Sequence, residues 1–249
     1  MTQKSPTTQT IIKRTILVIV AIASVVGLFV SISSILKWRL DTSKNTEIKE
    51  RIIKESTSKE AETKESKIDF AKLKSQNEDT VAYLKIESLN IDYPIVKTAN
   101  NSYYLNYNFD KEYNIAGWPF ADYRNKFDGT DKNIIIYGHN SHDDQMFSLL
   151  YKTQEESWQA DPFNQIINFS TPEGNYKYQI FSTYTIDPEE YYITTDFPDD
   201  TSYEQFLNTI KSRSNHDYGT NLTKDDTILT LSSCTPDAKN RIVVHAKML

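Results

Sequence analysis

A single cysteine, Cys234, stands in a chain of 249 residues. An internal disulfide is therefore excluded, and one thiol carries whatever sulfur chemistry the protein has. There is no surplus of positive charge either. With 28 basic and 34 acidic residues the formal charge is −6, which implies no strongly basic face and argues against nucleic acid as the principal partner. The sequence contains no internal repeat. Apolar residues at 38% and charged residues at 25% are ordinary for a soluble domain with a polar appendage. Aromatics are plentiful instead: 16 tyrosines and 11 phenylalanines suit a β-rich core, because flat and branched side chains pack well on pleated surfaces.

The compartment is read from the N-terminus. Between Lys13-Arg14 and Lys37-Trp38-Arg39, the stretch Thr15 to Leu36 runs 22 residues without a charge. At 1.5 Å per residue such a helix crosses a hydrocarbon core of roughly 30 Å. Ala21-Ile22-Ala23 resembles a small-residue cleavage site, the mark of a signal peptide, but the apolar stretch continues well past it and favours an uncleaved anchor. Lys4, Lys13 and Arg14 favour keeping the short N-terminal tail inside, which puts the residues after the span outside the cytoplasm.

Four segments follow: a cytoplasmic tail (1–14), an anchor (15–36), a polar region rich in Lys, Glu, Ser and Thr (37–79), and a folded domain (80–249). In the third, Glu47-Arg51 and Glu50-Lys54 are favourable four-residue pairs for a solvated helical stalk, while the low apolar content of 40–65 equally suits a linker. Ile68, Phe70 and Leu73 are placed to begin a helix that docks on the domain. Within the domain, strands are expected at 81–86, 91–96, 117–121, 133–137, 165–169, 176–186, 227–232 and 241–248. Pro94 marks the second as an edge or bulged strand. Helical turns are expected at 101–105 and 146–151, and a helix at 202–213 from the spacing of Tyr203, Phe206, Leu207 and Ile210. Eight short strands with few helices suggest a closed or nearly closed β-barrel.

Three of these strands end in chemistry. Ile228–Ser233 leads to Cys234; a six-residue connection, Thr235 to Asn240, returns the chain to Arg241 at the start of the last strand. Ile134–Tyr137 leads through Gly138 to His139. A cation beside a thiol favours the thiolate and can stabilise a developing oxyanion, and an imidazole can serve as general base or thiolate partner. Each has a plainer reading: a small buried cysteine, a surface ion pair of Arg241 with Asp237, a loop histidine. His245 shares a strand face with Arg241 but lies about 13 Å along it at ~3.3 Å per residue, which makes it a weaker rival for the base. His139-x-x-His142, with Asp143 and Asp144 adjacent, is a weak metal pattern lacking an evident third nitrogen or sulfur ligand, so no metal is expected.

Thr230-Leu231-Ser232-Ser233-Cys234 followed by Arg241-Ile242-Val243-Val244-His245-Ala246-Lys247 resembles the C-terminal signature of the sortases. Ile136-Tyr137-Gly138-His139-Asn140, Met146-Phe147-Ser148-Leu149-Leu150, Asn101-Ser102-Tyr103-Tyr104-Leu105 and the helix between the sixth and seventh strands are similar to class B members in particular. Ser233 stands where the usual pattern, Thr-Leu-x-Thr-Cys, has threonine; it keeps the hydroxyl and loses a methyl. The resemblance covers about residues 80–249. It implies a mainly β fold, an eight-stranded sortase-like β-barrel with short helices behind an N-terminal transmembrane helix and a helical stalk. It implies a membrane-anchored cysteine transpeptidase of Gram-positive bacteria with its catalytic domain outside the cytoplasm. Such an enzyme cleaves a C-terminal sorting motif of secreted proteins through a thioacyl intermediate on Cys234, with His139 as acid and base and Arg241 on the oxyanion, and passes the acyl group to a peptidoglycan amine. No metal or organic cofactor is implied. Tyr192, Ile193, Ser232 and Asn101 are the implied substrate contacts, and Asp237 a residue that orients the site. Two other functions compete: a cysteine endopeptidase that ends in hydrolysis, and an anchored β-barrel binding module with an incidental thiol.

Overall fold

The computed structural model describes residues 8–59, 66–141, 144–235 and 237–249. It divides into two compact units, one ending at Ser43 and the other comprising Lys44–Leu249. The first is helical and belongs to α1 (Thr8–Ser56). Its apolar side chains, from Ile11 to Leu40, are exposed, and the helix is long and apolar enough to cross a membrane.

The second unit begins well before residue 80, where the sequence places the start of folded structure. Ile48 and Ile52, on the last turns of α1, lie in the main hydrophobic core. Asn45 exchanges amide hydrogen bonds with Asn114 and donates to the carbonyl of Gly117. Two short strands, β1 (Thr57–Lys59) and β2 (Ser66–Ile68), pair antiparallel and lead to α2 (Phe70–Gln76). Asp69 caps α2 by accepting from the Lys72 amide, and Leu73 is fully buried. Ile48, Ile52 and Leu73 are buried and Ile68 and Phe70 are partly buried against the core, so a few apolar residues suffice for docking where composition alone suggested a solvated stalk or linker.

Among the described residues, eight strands close a barrel: β3 (Thr80–Ile86), β4 (Ile91–Val96), β5 (Phe120–Ala121), β6 (Asn133–Tyr137), β7 (Ile166–Thr171), β8 (Gly174–Ile186), β9 (Ile228–Cys234) and β10 (Arg241–Met248). Their order around the barrel is β10-β8-β7-β3-β4-β5-β6-β9. Each expected strand has a counterpart, although the one expected over 117–121 shrinks to Phe120–Ala121. The turn between β7 and β8 is tighter than expected, with Thr171 pairing Gly174. Pro94 is tolerated because β4 meets β5 only at Val96↔Phe120; the carbonyl of Pro94 is taken by the Trp118 indole at 2.9 Å.

Alternation along the last strand builds two cores. Ile242 and Val244 face the barrel interior, whereas Val243 faces an outer cluster with Phe181, Tyr184 and Ile228. Helix α4 (Asp200–Ser212), after a short helix α3 (Glu156–Gln159), covers that outer face with Tyr203, Phe206, Leu207 and Ile210. Its N-terminus is fixed by a capping box between Asp199 and Ser202, a device worth about 1 kcal/mol. A 3₁₀ turn, Tyr191–Ile193, joins β8 to α4, and another, Tyr103–Leu105, follows β4. The segment after His139 is helical as expected, but as a 3₁₀ stretch over Ser148–Gln154.

Candidate active site

Strand pairing brings the thiol and the guanidinium together. Cys234 and Arg241 are direct cross-strand partners in the antiparallel β9–β10 ladder, so their side chains emerge on one face with Cα atoms roughly 5 Å apart. The connection closes through Thr235 N–H to Asn240 C=O at 3.0 Å and Ala238 N–H to Thr235 C=O at 2.8 Å. Both residues are partly exposed, at the mouth of the barrel. Asp237 turns into this loop instead of toward the site. Its carboxylate accepts from the Thr235 hydroxyl and the Lys239 amide, and these bonds hold it below the usual carboxylate range. The expected orienting role, and the plainer ion pair with Arg241, both give way to a turn-stabilising one.

The imidazole arrives on the neighbouring strand. β6 runs parallel to β9 with Tyr137 opposite Ser232, and the register continues when Gly138 N–H donates to Ser232 C=O at 3.2 Å. Asn140 Nδ2 then donates to the carbonyl of Cys234 at 2.9 Å. His139, between these two anchors, is carried to the strand end that bears the cysteine. Gly138 has a packing reason: a Cβ there would lie 2.6 Å from the Phe147 ring.

Two features of the His139 ring escape the sequence. Nε2 lies 2.9 Å from the carbonyl of Leu105, which can only accept, so in the neutral ring Nε2 holds the proton and Nδ1 is the basic nitrogen. Gly117, at φ +60°, passes beneath the ring; a Cβ there would sit 3.0 Å from His139 Cδ2 and 2.4 Å from the Tyr104 carbonyl. Backbone carbonyls leave no mark in a residue pattern, although a glycine beside aromatic residues is a faint one.

His245 is not placed for acid–base work. It is fully buried, with Nδ1 2.8 Å from the Thr230 hydroxyl and Nε2 2.8 Å from that of Tyr184. His142 and Asp143, from the weak metal pattern, lie outside the described residues.

A wall of polar contacts adjoins the site. The Tyr192 hydroxyl meets Ser232 Oγ at 3.0 Å. Burial raises the Tyr192 pKa; Ser232 and Arg241 oppose this and Cys234 reinforces it, which puts Tyr192 within the field of both site residues. Tyr192 and Ser232 are buried, whereas Ile193 and Asn101 are partly exposed. The Asn101 amide is committed at both ends, donating to Asp122 and accepting from the Tyr123 amide. Asp122 is fully buried and also accepts from Arg124, twice through its side chain and once through its backbone, and from the Tyr137 hydroxyl. Burial alone would raise its pKa, but these donors together pull it below the usual carboxylate value. Arg124 reaches across to the carbonyl of Ile193 at 2.9 Å, tying the Tyr191–Ile193 turn to the β5–β6 side. The spacing Asp122-x-Arg124 was the available signal for this pair.

A cross-strand thiol and guanidinium with an imidazole on the next strand can form, hold and release an acyl group. Comparison with known proteins agrees. The sortase domain family model matches residues 84–249. Sortase B of Staphylococcus aureus is 35% identical over 183 residues, 72% of this chain and 74% of that protein. Sortase B of Listeria monocytogenes is 38% identical, covering 71% and 72% respectively. Among solved structures, a protein from Bacillus anthracis described as similar to sortase B superposes with a TM-score of 0.73 at 33% identity, over 83% of this chain and 96% of that one. A Staphylococcus aureus sortase B–substrate complex gives 0.69 at 30% identity, over 87% and 96%. The chain belongs to the sortase family, and within it to the class B cysteine transpeptidases.

Proposed function

We propose that Cys234, His139 and Arg241 carry the reaction, and that it joins secreted proteins bearing a C-terminal sorting motif to a peptidoglycan amine. The Cys234 thiol passes its proton to Nδ1 of His139 as its sulfur adds to a backbone carbonyl carbon of the motif. Arg241 receives the resulting oxyanion, and the C–N bond breaks as His139 gives its proton to the leaving amine. The acceptor amine then attacks the thioester carbon and surrenders a proton to His139. The Cys234 sulfur departs and takes that proton back from His139, leaving a new amide and the starting protonation states. With Nε2 bonded to Leu105, Nδ1 is the nitrogen available for these transfers. The supporting observation is the direct pairing of Cys234 with Arg241 beside the strand that carries His139.

The groove that receives the motif is assigned to Tyr192, Ile193, Ser232 and Asn101. Asn101 serves it as a fixed wall, because both ends of its amide are already bonded. The N-terminal apolar helix is the anchor, with residues before it cytoplasmic and the Lys44–Leu249 unit on the outer surface.

The test offers the full chain, in detergent, a sorting-motif peptide with and without an amine acceptor. A ligated product that Cys234→Ala does not form is expected. Cleavage that never yields ligated product at high amine would establish the endopeptidase instead. Alkylation of Cys234 no faster than that of a free peptide cysteine, with full activity in Cys234→Ala, would establish the binding module. Since the chain has a single thiol, a membrane-impermeant maleimide should label it in intact cells; labelling only after lysis would reverse the topology.

A further inference from the structure

The proposed reaction leaves His245 without a task, yet it lies at the centre of an ordered chain of hydrogen bonds, buried except at its last link to Thr194. The chain can be read from its far end. Asn133, at the start of β6, points Nδ2 at the carbonyls of Thr194 (2.9 Å) and Tyr192 (3.4 Å). Two acceptors fix that atom as the amide nitrogen, so Oδ1 accepts, and the Thr230 hydroxyl at 2.6 Å donates to it. With its proton spent, Thr230 accepts from His245, so Nδ1 bears hydrogen. Nε2 then carries the lone pair and accepts from the Tyr184 hydroxyl. Thus β8, β10, β9 and β6 are linked in one direction of donation, ending on the turn that holds Tyr192 and Ile193. Asn133, Thr230 and His245 are each inaccessible to solvent.

We propose that the Tyr184–His245–Thr230–Asn133 chain is a positioning device: it holds the Tyr191–Thr194 turn, and so the Tyr192 and Ile193 side of the substrate groove, in register with Cys234 and Arg241. This assignment rests on the reading of that turn as groove wall. The device requires a neutral imidazole with one defined tautomer. Burial lowers the His245 pKa to about 3, with the nearby Arg213 adding to the effect, so the ring stays neutral in the working range. Arg213 also stacks over Tyr184 at 5.8 Å and pairs with Glu189, anchoring the far end beneath α4. An ordered polar chain in a dry interior holds its geometry because any broken link leaves a buried group unpaired.

The experiment uses the full chain in detergent. Thr230→Val keeps the branched shape and removes the hydroxyl, whereas Thr230→Ser keeps the hydroxyl. In the valine variant, amide exchange over residues 190–195 should quicken and KM for a sorting peptide should rise, each by about tenfold, as a lost buried link implies. Alkylation of Cys234 by iodoacetamide should stay within about twofold of wild type, since the thiol's own neighbours are untouched; the serine variant should restore exchange and KM. Wild-type exchange and KM in the valine variant would overturn the assignment, as would a parallel fall in alkylation. If the valine variant does not fold, side-chain nitrogen NMR of the wild-type protein decides: a neutral Nδ1–H ring at pH 7 is expected, and an Nε2–H ring refutes the chain. If wild type forms no acyl product, the functional reading fails, while exchange and tautomer still judge the positioning.

Discussion

Ser233 carries a buried hydroxyl that, among the described residues, meets no hydrogen-bond partner. Leaving such a group unpaired costs about 1–3 kcal/mol, whereas removing it costs little. Ser233→Ala should therefore leave stability unchanged or raise it by up to ~1 kcal/mol in urea unfolding; a loss larger than that would mean the hydroxyl has a partner. Arg241 is judged by rate. Arg241→Ala should lower kcat/KM by about 10²–10³, as loss of an oxyanion donor does. Arg241→Lys should recover only part of this, because a lysine lacks the planar fork; a fully active lysine variant would contradict a guanidinium role. Cys234, His139 and Arg241 were legible in the sequence because each closes or opens an apolar run. Leu105 was not, since its contribution is a carbonyl. Two of the three residues that bond the Asp122 side chain were hidden too, because Asn101 and Tyr137 meet it from separate segments, whereas Arg124 is only two residues away.

Elements whose residues alternate were easy to read, whereas β5 was read too long: the strand expected over 117–121 is reduced to Phe120–Ala121, since Gly117 sits at φ +60° in the preceding turn. The end of α1 was harder. Its surface carries Glu47, Glu50, Arg51 and Lys54, so the stretch scans as solvated, yet Ile52 is wholly enclosed in the barrel's main core. Periodicity cannot distinguish two isolated isoleucines on a polar helix from incidental ones; tertiary contact does. Ile52→Ala should cost the Lys44–Leu249 unit about 2–5 kcal/mol, the usual penalty for emptying a buried aliphatic site. Unfolding followed by tryptophan fluorescence measures this, and a change under ~0.5 kcal/mol, typical of surface sites, would return the segment to the role of a free stalk.

For the molecule as a whole, acid should be destabilising for two separate reasons. His245 is neutral when folded, with a pKa of about 3, but takes a proton near 6.5 when unfolded. Between those values the unfolded chain binds the extra proton, so stability falls as pH drops from about 6.5 toward 3. Asp122, held below its ordinary value by Arg124, Tyr137 and Asn101, contributes stability that is lost as pH falls below about 4 and its carboxylate is protonated. The melting temperature should decline from pH 7 to pH 4, and His245→Gln should flatten that slope; identical slopes would place the acid response elsewhere. The barrel's closure has its own consequence. β9 pairs with β6, β10 pairs with β8, and these two final strands also deliver the sulfur and the guanidinium. Until they dock, His139 waits on an open sheet with no nucleophile beside it. The proposed nucleophile, base and oxyanion partner therefore come together only in the closed barrel, so that the candidate site and the completed fold form as one unit.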